Sequence, residues 1–346
     1  MELQSDHHGF RTTALQGDTA FIHAASTSDI DEQAALLRGW NQTYEQISAG
    51  RFNGSFLETQ IDCVQLFREV TSNSLQQTGA LPEGTIAVGA PVLLQGNATF
   101  CGRLCDGQQL HVFSGKDQFE FFSPRGLDIV GFVLDVQDLR SALTSDELED
   151  VMPSLARPHL RFADIGALNR MRTIFLDVCE IVAEPEASAQ DRVRLSSMSR
   201  DLIAAIVGGL AHGYGDRFDV PQAKRTLIVR DARDLISEWS QDIKCIADLC
   251  RELGVSRRAL QQSFQDTLGV KPSAYMRAVR MNGARRAIKT EKSVAEAATL
   301  WGFWHFGRFA RDYNMMFGEL PSEAFRRHHG AGEQAPRCAE RDCASR

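Results

Sequence analysis

No stretch of about 18 consecutive apolar residues occurs in the chain, which excludes a membrane-spanning helix. Met1 to His8 is polar and acidic, with no basic region followed by an apolar run, so no secretion signal is expected. The eight cysteines include no CxxC pair. The closest pairs are Cys101/Cys105, Cys245/Cys250 and, in the tail, Cys338/Cys343. That points away from a disulfide framework and towards packed thiols in a reduced, cytosolic protein. Between Gly50 and Leu134 there is one histidine, His111, too few for a His-rich metal centre. Cys101, Cys105 and His111 could supply three metal ligands, but their spacing fits no common zinc site, and thiols on a strand and a loop are the plainer reading. A phosphate-binding glycine motif, a nucleophile elbow and a paired-acid motif are also lacking, which speaks against an enzyme.

What is there begins with length and charge. A chain of 346 residues, 43% of them hydrophobic, fits two domains with ample core. The formal net charge is −7. Residues 224–330 hold 19 Lys and Arg against 12 Asp and Glu, whereas residues 1–223 hold 16 against 30. Such asymmetry is a nucleic-acid signal, with the basic part set to meet phosphate and the acidic part to avoid it.

The expected fold is α+β. A β-rich small barrel, cupin-like and accompanied by helices, occupies 1–223, and an all-α domain occupies 224–330. The strands are expected within about 50–134, where Phe56–Ile61, Thr85–Gly89, Pro91–Leu94, Gln109–Phe113, Phe119–Phe122 and Ile129–Leu134 are separated by Gly, Asn, Pro and Asp. A helical zone of about 137–211 follows. Leu160, Leu168, Met171, Phe175, Val178 and Val182 make an apolar stripe there, read either as packing on the barrel or as a dimer seam. Pro185 divides the zone, and the domain boundary is expected near 213–224. Residues 331–346 read as a flexible tail. Trp40, Tyr44, Phe52 and Phe56 are candidates to line an effector pocket, core packing being the alternative at each.

The last third repeats itself. One helix-turn-helix unit spans 243–265 and a second spans 293–314. Gly254 matches Gly302, Leu260 matches Phe309, Phe264 matches Tyr313, Gly269 matches Gly318 and Pro272 matches Pro321. In the first unit Gly254 suits a left-handed cap and Ser256 an N-cap, with Leu260 and Phe264 pointing inward. Ser256, Arg257, Arg258, Gln261, Gln262 and Gln265 are left as the DNA-facing candidates. Arg and Gln bond guanine and adenine edges bidentately, whereas a merely solvated face favours Glu and Lys. In the second unit Ser293 and Glu296 form a capping box, and His305, Gly307, Arg308 and Arg311 are the exposed candidates. Trp301 and Trp304 are expected to pack. A helix from Ser273 to about Lys289 joins the units, with Arg277, Arg280, Arg285, Arg286 and Lys289 on its outer faces. At helical rise about 16 residues span about 24 Å, enough to set two reading helices towards grooves about 34 Å apart.

Gly254-Val255-Ser256-Arg257-Arg258-Ala259-Leu260-Gln261, Phe264 through Gly269 to Pro272, and Gly302-Phe303 through Arg311 to Phe317-Gly318 and Pro321-Ser322 resemble the AraC/XylS family of bacterial transcription regulators. The resemblance covers about Thr226 to His328. Trp40–Ile47, Gly50–Phe56, Gln65–Glu69 and Trp301–Ala310 are similar to regulators of ethanolamine-utilisation operons. The resemblance implies an effector-sensing N-terminal domain, a homodimer, promoter DNA and RNA polymerase as partners, and ethanolamine with adenosylcobalamin as effectors. No cofactor is required for the fold. Asp6-His7-His8-Gly9 lacks the Asp-x-His-x-x-Gly spacing and carries no assignment. Cys245 stands where the family usually has a Ser or Thr cap. The expectation is an effector-dependent activator of a catabolic operon, cytoplasmic and nucleoid-associated. A ligand-binding or protein-interaction module without DNA readout, and a metal-dependent barrel enzyme, are the rivals.

Overall fold

A computed structural model describes residues 11–14, 21–116, 118–152, 155, 158–183, 189–211, 220–237 and 245–329. The Asp6–Gly9 segment, Pro185, most of the expected boundary at 213–224, and the tail with Cys338 and Cys343 lie outside them. The chain divides into two compact units, Met1–Val279 and Arg280–Arg346.

The described elements, in chain order, begin with β1 (Arg11–Ala14), β2 (Phe21–Thr27), α1 (Ile30–Ala35), β3 (Asn41–Gln46), β4 (Gly54–Ile61), β5 (Val64–Thr71), β6 (Leu75–Ala80) and β7 (Thr85–Leu93). Then come β8 (Ala98–Phe100), β9 (Arg103–Cys105), β10 (Gln109–Ser114), β11 (Phe119–Ser123) and β12 (Leu127–Asp135). Helices α2 (Val136–Ala142) and α3 (Ser145–Val151), strand β13 (His159–Phe162), and helices α4 (Ile165–Ala183), α5 (Ala189–Ala211) and α6 (Val220–Ser237) follow. The chain continues with α7 (Ile246–Leu253), α8 (Arg257–Leu268), α9 (Pro272–Ile288), α10 (Val294–Leu300), α11 (Phe306–Phe317) and α12 (Pro321–His329).

The α+β class holds, but the expected barrel does not close. The strands form an eight-stranded sheet, β1-β2-β4-β5-β12-β7-β10-β13, and a five-stranded sheet, β3-β6-β11-β8-β9. Burial on two faces explains why β12 reads Ile-Val-Gly-Phe-Val-Leu rather than alternating. Val130, Phe132 and Leu134 pack with Leu66, Val88, Val112 and the Leu168, Met171, Phe175 and Val178 face of α4. Ile129 and Val133 turn the other way, joining Phe67, Phe113, Phe100, Phe119 and Phe121 between the sheets. The apolar stripe of α4 is therefore packed on the sheet. Leu160, read as part of that helix, belongs instead to β13, paired with His111.

A row of paired residues crosses four strands of the large sheet: Phe67 opposite Gly131, Gly131 opposite Gly89, Gly89 opposite His111. A Cβ on Gly131 would run into the Phe67 ring, so glycine there lets the phenyl lie flat across β12. Strand β11 of the small sheet alternates. Phe119 and Phe121 enter the inter-sheet core, while Glu120 pairs with Arg233 of α6 on the opposite face. Arg233 Nε also donates to the Tyr275 hydroxyl at 3.2 Å, and Tyr275 meets Phe264 of α8 edge-on at 5.6 Å.

In the second unit Phe309, Tyr313 and Phe317 of α11 pack with Met281, Ala284, Ile288, Ala297 and Ala298. Two of the arginines expected on the outside of α9 are structural instead. Arg280 donates to the carbonyls of Trp301 and Gly302 at 3.0 and 2.6 Å, occupying acceptors at the end of α10. Arg285 is buried, its guanidinium 5.4 Å from the centre of the Phe317 ring. Gly283 has no room for a Cβ because the Trp301 indole lies against it.

Candidate nucleic-acid interface and an inter-sheet cavity

Each helix pair is built by local signals. Gly254 ends α7 in the left-handed region at φ 62°, and Gly302 closes the second turn at φ 73°. Gly269 and Gly318 cap α8 and α11 at φ 69° and 73°, and prolines 272 and 321 open the helices that follow. The internal repeat read in the sequence is thus a repeat of backbone geometry. Cys245 caps α7 without the usual hydroxyl. Asp248 reaches back to its N–H at 3.0 Å and accepts from its thiol at 3.1 Å, so one half of a capping box is kept. Cys245 is exposed rather than packed. Ser293 Oγ accepts from the Glu296 N–H at 3.2 Å, one half of the expected box on α10.

On α8, Leu260, Phe264 and Leu268 are buried beneath the helix. Ser256, Arg257, Arg258, Gln261, Gln262 and Gln265 are all exposed. Ser256 Oγ accepts from the Ala259 N–H at 3.1 Å, fixing the start of the helix. Gln262 Nε2 donates to Asp266 at 2.7 Å, and Asp266 is held by Arg225 at 2.7 Å. The Gln262 amide is thereby oriented before any partner arrives. Gln265 Nε2 donates to the Gly269 carbonyl at 3.4 Å.

On α11, Phe309 and Tyr313 face inward, while His305, Gly307, Arg308 and Arg311 are exposed. His305 occupies the N-cap position and makes no side-chain cap bond. Arg308 sits 3.8 Å from Asp312. Trp301 packs on Gly283 as expected, but Trp304 does not pack: it is 71% exposed, beside Phe306 at 48%. Two large apolar side chains thus stand in water next to the start of α11; the sequence reading expected Trp304 to pack and did not single out Phe306. Their exposure is the signal, because apolar contact with the thymine methyl group is one mode of base recognition.

The model of the family described as "Helix-turn-helix domain" matches residues 249–327, which span most of both units. The "Probable thc operon regulatory protein" of Rhodococcus erythropolis is 36% identical over 146 residues, 41% of this chain and 44% of that protein. The "XylDLEGF operon transcriptional activator 1" of Pseudomonas putida is 38% identical over 77 residues, 21% of this chain and 23% of that protein. A solved structure of a "probable AraC family transcriptional regulator" from Rhodopseudomonas palustris is 33% identical and covers 30% of this chain and 97% of its own, with a TM-score of 0.28. Residues 249–327 carry the helix-turn-helix domain which that family model describes, and over this part the chain is similar to operon regulators. It spans less than half the length of these two curated relatives.

Between the two sheets lies a cavity of about 40 Å³, lined by Trp40, Tyr44, Phe67, Glu69, Gln77, Phe100, His111, Phe113, Phe119 and Phe121 among others. Of the four aromatic candidates, Trp40 and Tyr44 line it. Phe52 and Phe56 do not: Phe52 packs with Ile30, Tyr44 and Leu75, and Phe56 stacks on Phe67. Glu69 is buried and accepts from Gln33 Nε2 at 3.1 Å, Tyr44 Oη at 2.9 Å and Gln77 Nε2 at 3.3 Å. Burial raises its pKa above the usual carboxylate value, against the pull of those bonds. His111 is stacked on Phe100 at 4.8 Å, and burial pushes its pKa down to about 3, so the imidazole is neutral. Among the described residues no cluster of three or more His, Cys, Asp or Glu could hold a metal ion.

Proposed function

We propose that this chain is an effector-dependent activator that reads promoter DNA through α8 and α11. The observation that carries the reading is the outer face of α8. Two arginines and three glutamines stand exposed on a helix whose opposite side is buried. That is the donor and acceptor set suited to major-groove base edges. On α11, Arg308 and Arg311 supply charge, and Trp304 and Phe306 supply apolar contact.

The effector in this reading is a small molecule held between the sheets. Adenosylcobalamin, implied by the sequence resemblance, does not fit there: a cavity of about 40 Å³ has no room for a corrin ring. Homodimerisation and contact with RNA polymerase remain part of the proposal, and sedimentation of the purified chain and transcription in vitro test them. The deciding experiment is a gel shift on the DNA upstream of the neighbouring genes, with competitor DNA, at two salt concentrations. Specific binding that weakens steeply with salt supports the reading, because each neutralised phosphate releases counterions. Binding without sequence preference, or without salt dependence, favours the protein-interaction rival.

A further inference from the structure

We propose that Arg225 and Asp266 hold the side-chain amide of Gln262 in the polarity that selects adenine and rejects guanine in the major groove. The inference rests on the reading of DNA by α8 and names a base for one of its side chains.

Gln262 stands at the middle of the exposed face. Leu260, Ser263, Phe264, Thr267 and Leu268 of α8 are buried. At about 3.6 residues per turn, the direction opposite them falls on Arg258 and Gln262. Both are exposed.

The Gln262 amide is not free to turn. Its Nε2 donates one N–H to Asp266 Oδ1 at 2.7 Å, one turn further along the helix. The other oxygen, Asp266 Oδ2, takes Arg225 Nη1 at 2.7 Å. Arg225 comes from α6, whose Thr226 and Val229 are buried, so the carboxylate is held from a second helix. An ionised carboxylate only accepts hydrogen bonds. Asp266 therefore admits the amide nitrogen and repels the amide oxygen. One N–H and Oε1 are left for a partner.

That remainder matches one base. In the major groove adenine offers the N7 acceptor beside the N6 donor, and one N–H with one oxygen meets both. Guanine offers two acceptors, N7 and O6. An unrestrained glutamine can meet both with its two N–H groups, but in this chain one of them is committed to Asp266. Cytosine presents only its N4 donor and thymine only its O4 acceptor, so each takes a single bond. Arg225 and Asp266 are thus positioning residues, and Gln262 is the reader.

The test is selection of bound duplexes from a random pool by the purified full-length chain, followed by competition gel shifts on duplexes changed at one base pair. One position should prefer adenine over guanine by at least about tenfold, and Gln262→Ala should abolish the preference at that position alone. Asp266→Asn should bring the ratio there below about threefold, because an amide at 266 can also donate and lets Gln262 turn over. Arg225→Ala should lower the same ratio from the other helix, whereas Arg225→Lys should keep most of it. Removing a negative charge near phosphate strengthens binding to every sequence alike, so the ratio is a readout that charge alone does not move. Three results would overturn the proposal while leaving DNA reading by α8 in place. They are no position sensitive to Gln262→Ala, a base other than adenine at the sensitive position, and a ratio unchanged in both Asp266→Asn and Arg225→Ala. A wild-type chain that enriches no sequence would sink the DNA reading itself, and this inference with it.

Discussion

Acid should destabilise the Met1–Val279 unit through His111, by an amount that can be worked out beforehand. Its imidazole has an ordinary pKa of 6.5, which burial lowers to about 3 in the folded chain. Below pH 6.5 the unfolded chain therefore takes up a proton that the folded chain refuses. The stability from this group is complete above 6.5 and is lost as pH falls towards 3, at about 1.4 kcal/mol per pH unit. At about pH 5 the loss is about 2 kcal/mol. Glu69 acts in the opposite sense. Its folded pKa is raised, so as pH falls through that value the folded chain takes the proton first and gains stability. The net response is a difference of two terms, and a variant separates them. His111→Phe keeps a flat ring on Phe100 and removes only the titration. Urea unfolding of both chains, at about pH 7.5 and at about pH 5, should show the variant losing about 2 kcal/mol less than the wild type over that interval. Identical losses would mean that His111 accepts its proton in the folded state, and the account of Nε2 as a buried atom without a hydrogen-bond partner would be wrong.

Three further outcomes are expected. Arg258→Ala should cost about 1–3 kcal/mol at particular base pairs in a selection of bound sequences, and uniform weakening would reassign the side chain to phosphate. Trp304→Ala should leave the thermal unfolding of the chain within about 0.5 kcal/mol of wild type, because the indole is 71% exposed, yet weaken promoter binding in the gel shift. A large loss of stability would show that it packs after all. Gly131→Ala should drive the Phe67 ring into the cavity, and titration should find ligand affinity lost while gel-shift affinity for DNA without ligand is kept.

The sequence made some of this legible because the signals were local. Left-handed glycines at 254, 269, 302 and 318, prolines at 272 and 321 and the Ser256 cap each act within a few residues, so spacing alone reveals them. The strand zone was harder. β5 and β6 went unseen because Arg68, Glu69, Gln76 and Gln77 break the apolar alternation, and the buried Glu69 and Gln76 find partners 36 and 44 residues away, at Gln33 and Glu120. Glu69 finds its donors at Gln33, Tyr44 and Gln77, a convergence no window of sequence contains. Trp40 and Tyr44 could be singled out as aromatic, but nothing local separated them from Phe52 and Phe56, which are core. Arg280 and Arg285 looked like surface charge on α9. Their roles emerge only once α10 has ended against one and Phe317 has come under the other. Closure of the barrel failed for a similar reason, since strand count does not tell which edges meet.

Strand β11 gives the molecule a reciprocity. Its Phe119 and Phe121 line the cavity, and Glu120 between them grips Arg233, whose guanidinium bonds the Tyr275 that abuts Phe264 under α8, the helix proposed to read DNA. One ribbon of backbone is at once the wall of the chamber and the footing of α8. Whatever filling the chamber does to the affinity for DNA, docking on DNA must do to the affinity of the chamber, by the same factor. Under the proposed function, the promoter is then as much an effector of the sensor as the small molecule is of promoter binding.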